Sequence, residues 1–215
     1  MRANEQLLGL AAYESLRTFE VLASQGGHAP GLKERTSLGG FAAAEYERFQ
    51  HLSAELEAHG LDVVEAMLPY QDAIDSYYSA VATNDWPEAM LKVCLTAGLT
   101  AEFGRGAGPH LGVETVRLLG HGDVAGRTGD YAADQVEDWL AGHPDDTGRL
   151  VLLGRRISSE VVSQAQRVAT RDADLGALVT GSSVADGSDL EAVAHLLERL
   201  VDANMRRLHE LGLLN

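Results

Sequence analysis

A chain of 215 residues, 45% of them hydrophobic, can bury one substantial core, and nothing in it demands a second domain. Its 17 basic against 32 acidic residues leave a net charge of −15, which argues against nonspecific binding to nucleic acid or an anionic membrane but not against a local basic patch. The lone cysteine, Cys94, excludes an internal disulfide and suits a reducing cytoplasm. Met1 to Gln6 carry no signal-peptide apolar core, and no apolar run approaches the roughly 20 residues that span a bilayer. The expectation is a cytoplasmic protein with one domain over residues 1–215.

In chain order, Glu5 to Ser24 read as a first helix, closed by Gly26-Gly27. One of its stripes holds Leu7, Leu10, Glu14 and Val21, so Glu14 points inward. The second helix runs from Leu32 to His59, with Gly39-Gly40 as a weak spot or close-packing point and Gly60 as its stop. Leu38, Phe41, Ala42, Phe49, Leu52 and Leu56 recur at three- and four-residue steps on one face. Glu45 sits inside that stripe, and Arg48 follows three residues later on the same face. A carboxylate there is unfavourable unless a metal, a proton or a cation offsets it.

Leu61 to Pro69 read as a connector to a short helix over Tyr70 to Val81. Asp85 and Glu88 resemble a capping box, with Pro87 tolerated in the first turn. They open a helix that holds Leu91, Leu95, Gly98 and Glu102 on one face and ends at Gly104 to Pro109. Over Val113 to Leu140, the residues Val116, Leu119, Asp123, Arg127, Asp130 and Ala133 keep a helical period. Glycines weaken that helix, and a kink or break is expected near Gly120-His121-Gly122. Asp146 to Arg171 form another long helix, residues 176–187 a loop, and Ser188 with Glu191 the capping box of a last helix ending past Leu208.

Long antiparallel helices with short connections predict an α-bundle. Inward carboxylates on successive helices are what di-metal bundle enzymes use, with a Glu from each of two helices and a Glu-x-x-His pair from each of two others. The inward set here is Glu14, Glu45, Glu102 and Asp130.

The chain resembles the ferritin-like proteins related to MiaE, the tRNA hydroxylases that use two irons and oxygen on a prenylated adenosine. The likeness is nearest to a divergent MiaE-like branch of actinobacterial type. It is carried by Leu8-Gly9-Leu10-Ala11-Ala12-Tyr13-Glu14, Ala43-Ala44-Glu45, Ala101-Glu102-Phe103, Gly154-Arg155-Arg156 through Glu160 to Val168, and the Arg206-Arg207 and Leu211-Gly212-Leu213 ending. It implies an all-α, ferritin-like four-helix bundle with additional helices. It also implies that Glu14, Glu45 and Glu102 stand at carboxylate ligand positions. Arg48 then occupies the place of the first motif's His, Arg127 that of the second motif's carboxylate, Asp130 that of its His, and Asn204 a last-helix His position. His51 lies almost a full turn from Arg48 and does not substitute for it.

An arginine offers no lone pair to iron. The expectation is therefore that Arg48 and Arg127 neutralise Glu14, Glu45, Glu102 and Asp130, with no metal or other cofactor and no assigned catalytic residue. The alternative is an oxygen-dependent di-iron hydroxylase acting on a modified tRNA base. Gly120 to Gly129 offers a rival phosphate-loop reading, but it lacks Gly-Lys-Ser/Thr and follows no strand. His28, His59, His110 and His143 fall at helix ends. Arg155, Arg156, Arg167 and Arg171 read as surface ion-pair partners before they read as an RNA strip. An unidentified protein or a second copy of the chain, as in a homodimer, remains the open partner class.

Overall fold

The computed structural model describes residues 3–107, 111, 113–120, 123–171 and 189–214, and among them the regular elements are all helices, with no strand. The helices are α1 (Ala3–Gln25), α2 (Leu32–Ala58), α3 (Val63–Ala80), α4 (Trp86–Ala107), α5 (Val113–Leu119), α6 (Val124–Gly142), α7 (Thr147–Arg171) and α8 (Asp189–Glu210). A single 3-10 turn, Pro144–Asp146, joins α6 to α7.

The most extensive contacts pair α1 with α2 and α4 with α6. These two hairpins make the four-helix bundle, and α3 lies in the long crossover between them, as in ferritin-like folds. α3 also packs on α1 and α7, while α8 packs on α4 and α7. The hairpins meet through side chains: Thr100 on α4 donates to Glu14 on α1 at 3.0 Å, and the Phe41 ring of α2 lies 5.2 Å from that of Tyr131 on α6. Leu22, Leu38, Leu91, Leu95, Val136 and Leu150 fill the larger core, and Leu8, Ala12, Leu52, Leu56 and Ala66 a second one.

Local chemistry explains several helix limits. Asp85 accepts from the Glu88 N–H at 3.2 Å, and the Glu88 carboxylate takes the Asn84 N–H at 2.8 Å, so the expected box is present one residue wider than drawn. Gly60 takes φ 75°, letting Leu61 N–H reach back to Leu56 O at 3.0 Å and close α2. Gly39 and Gly40 are exposed and interrupt nothing, because a Cβ at either would meet no neighbour. Gly9 is a glycine that packing against backbone requires. A Cβ there would run into the Ala66 carbonyl, so α1 and α3 cross in close contact.

Two sequence expectations need correction. α3 begins at Val63 rather than Tyr70, since Asp62 caps it by accepting from Glu65 N–H at 3.0 Å. Pro69 lies inside that helix but on the solvent side, as does Glu65, whose carbonyl loses its usual donor. The segment 113–140 divides into two helices, α5 and α6, at the break expected near Gly120, with Asp123 in the left-handed region at φ 46° ahead of α6. Val116 is exposed and Leu118 buried, so the stripe drawn through 116, 119 and 123 is not one face. His110, residues 121–122, the loop 176–187 and Ser188 lie outside the described residues. Among those described, no helix is long and apolar enough to cross a membrane.

Candidate functional site

The side chains of interest lie where α1, α2 and α4 converge. Glu14 and Ser15 come from α1, Glu45 and Arg48 from α2, and Thr96 and Thr100 from α4. Glu45 and Arg48 are one turn apart, so a single face of α2 presents both. They are 2% and 4% exposed, and Ser15 beside them is fully buried.

Arg48 Nη1 holds the group together. It donates to Glu14 Oε2 at 3.0 Å, to Ser15 Oγ at 2.9 Å and to Glu45 Oε2 at 3.5 Å. The other Glu14 oxygen, Oε1, accepts from Thr18 at 3.2 Å and from Thr100 at 3.0 Å. Thr96, one turn before Thr100, shares a 2.6 Å hydrogen bond with Tyr77 on α3. Arg48 Nε is buried and makes no hydrogen bond among the described residues.

Electrostatics follow from burial. Removal from water and the neighbouring Glu14 carboxylate push Glu45 up to about 7, against the pull of Arg48. Burial opposes the charge of Arg48, but the Glu14 and Glu45 carboxylates outweigh it and hold its pKa above the usual arginine value. The Tyr78 hydroxyl, near Glu14, is pushed far up by desolvation first and that carboxylate second. The cluster is thus a compact charge unit of two carboxylates and one guanidinium.

Not every residue named from the sequence joins it. Glu14, Glu45 and Arg48 come together as drawn. Glu102 is half-buried on α4, two residues beyond Thr100, which is the α4 residue that reaches Glu14. Arg127 and Asp130 are exposed on α6, contrary to their expected inward position. α6 buries Val124, Thr128, Ala132 and Val136 at four-residue steps, together with Gly129. The register counted through Asp123 does not survive the break there, so it put Arg127 and Asp130 on the wrong face. Arg127 therefore lies outside the buried charge unit. Asn204 is buried on α8, with neither its amide oxygen nor its nitrogen hydrogen-bonded among the described residues.

Sequence reading missed Ser15, Thr18 and Thr100, since a small hydroxyl inside a helix gives no sign of its direction. It also missed Lys92. That ammonium is buried, donates to Tyr78 O at 2.9 Å and Val81 O at 2.6 Å, and lies over the Tyr77 and Tyr78 rings. Burial lowers its pKa to about 8, helped by Arg17. Its position at the end of α3 is that of a C-terminal helix cap. The histidine expectation fares better: His59 pairs with Glu55 at 3.3 Å, and His143 stacks on Trp139. Arg155, Arg156 and Arg167 are exposed.

A partly open cavity of about 240 Å³ adjoins the charge unit. Its walls include Leu7, Leu10, Ile74, Leu99, Val161 and Leu200, and Glu14, Arg48, Thr96 and Thr100 line it as well. Among the described residues, no group of three or more His, Cys, Asp or Glu side chains is arranged to hold a metal ion.

A model of the ferritin-like domain of actinomycetes matches residues 2–182. No curated protein matches the chain.

Proposed function

We infer that this chain, which belongs to the actinomycete ferritin-like domain family, is a non-catalytic member related to the MiaE-type hydroxylases, with an ion-pair network where such relatives hold two irons. The observation that carries this reading is Arg48 Nη1, within 3.5 Å of oxygens from both Glu14 and Glu45. A guanidinium has no lone pair to give a metal, and it already supplies the positive charge that the carboxylates need. The donor set does not fit a metal pair. Arg127 and Asp130, exposed on α6, add nothing to the buried group. A helical scaffold kept for structure or for binding a partner, another protein or a second copy, is the role that follows.

The test is metal content. Protein purified after growth in iron- and manganese-rich medium should carry less than one tightly held metal per chain. Two per chain would end the reading in favour of the oxygen-dependent di-metal hydroxylase. Adding ferrous iron and oxygen to the purified protein gives a second, spectroscopic check, with no new absorption band expected. Arg48→His alone should not restore metal uptake, because the second histidine position, Asp130, faces solvent.

A further inference from the structure

We propose that the cavity beside Arg48 is a binding site for a neutral, largely apolar small molecule whose single hydroxyl head sits against Glu14, Thr100 and Arg48. Size comes first. A buried apolar cavity of about 150 Å³ takes a benzene ring, so one of about 240 Å³ takes on the order of ten non-hydrogen atoms. The walls set the body of the ligand: Leu10, Ile74, Leu99, Val161 and Leu200 offer it hydrocarbon, and Gln164 and two tyrosines of α3 line the cavity as well.

The head group is set by what the polar end already holds. Two carboxylates there face one guanidinium, so an anionic head would add a third negative charge in a place poor in water. An ammonium would have to displace or approach Arg48, which already holds Glu14 at 3.0 Å. A hydroxyl meets neither obstacle. It donates to a Glu14 oxygen and leaves in place the hydrogen bonds that Thr100 and Arg48 already make to that carboxylate.

The proposal rests on Arg48 holding the cluster, as in the reading above, and metal content separates the two failures. Metal-loaded protein sinks both; metal-free protein that ignores the probe sinks this one alone. Calorimetric titration at pH 8 with 1-octanol, octanoate and octylammonium compares three heads on one chain length. Octanol should bind once per chain and at least tenfold tighter than either ion. An ion binding within tenfold of octanol, or no octanol binding up to its solubility limit, overturns the proposal. Methyl NMR of the unaltered protein should show Ile74, Leu99 and Val161 shifting with octanol, and shifts confined elsewhere overturn it too. Val161→Trp on α7 and Ile74→Trp on α3 fill the cavity from two sides. Binding that survives in both folded variants has the same consequence.

Discussion

Arg48 and Glu14 meet at 3.0 Å between residues 34 positions apart, one 5% exposed in its side chain and the other 22%. The guanidinium thereby fastens α2 to α1 at the centre of their shared face. Removing it leaves Glu14 and Glu45 with no cation between them. Arg48→Met should destabilise the protein by about 3–5 kcal/mol, as loss of one partner of a buried charge group does. Urea unfolding at pH 8 measures this. The triple variant Arg48→Met, Glu14→Gln, Glu45→Gln should recover most of the loss, and no recovery would refute the charge explanation.

Glu45 also predicts a pH dependence. Its folded pKa of about 7 lies above the unfolded value near 4.5, so the native state holds the proton more tightly. Stability from this group is full below about pH 4.5, falls as pH rises through about 7, and stays low beyond. The total is on the order of 3 kcal/mol. Glu45→Gln should remove this slope, so the variant gains on the parent between pH 4.5 and pH 8. Unfolding midpoints measured across that range decide it, and parallel curves would mean that Glu45 titrates normally.

Gly9→Ala separates packing from propensity. Alanine favours a helix over glycine by about 1 kcal/mol. At this position the added Cβ meets the Ala66 carbonyl, and α1 must move off α3. A net destabilisation of about 1–3 kcal/mol is expected. A thermal midpoint equal to or above the parent's would show that the two helices yield without strain.

Arg127→Ala should change stability by no more than about 0.5 kcal/mol, since the side chain is exposed on α6. A loss like that of Arg48→Met, in the same urea experiment, would restore Arg127 to the buried network.

Arg149 supplies a salt-dependent case. It reaches Asp85 at 2.9 Å, Glu88 at 2.8 Å and Asp146 at 2.9 Å, joining the starts of α4 and α7. The group is about one-third exposed, so water screens it. Arg149→Met should lose about 1 kcal/mol at low ionic strength and less in 1 M salt. An unchanged loss in salt would assign the effect to packing of the side-chain stem.

How much of this was legible in the sequence depended on unbroken helical phase. Within α2 nothing interrupts the three- and four-residue steps from Leu38 to Leu56, so Glu45 and Arg48 could be placed on the buried face from spacing alone. The same counting failed between Val116 and Asp130, where a left-handed Asp123 resets the phase ahead of α6. Pro69 misled in the other direction: it reads as a boundary, yet on an exposed face a proline leaves a helix standing. Thr100 and Ser15 could not be found, because their hydroxyls matter only once two other helices are in position. The belonging to a ferritin-like fold was legible; the partners of Glu14 were not.

The crowding of one guanidinium nitrogen by two carboxylates also constrains how this chain can change over generations. Losing Arg48 first leaves two like charges in the core, and losing both carboxylates first leaves a buried cation with no counterion. The effect of a substitution at any of the three therefore depends on what stands at the other two. Those departures from the arrangement lead across less stable intermediates. Substitutions at Glu14, Glu45 and Arg48 are therefore coupled, whereas Arg127, exposed on α6, stands outside that coupling.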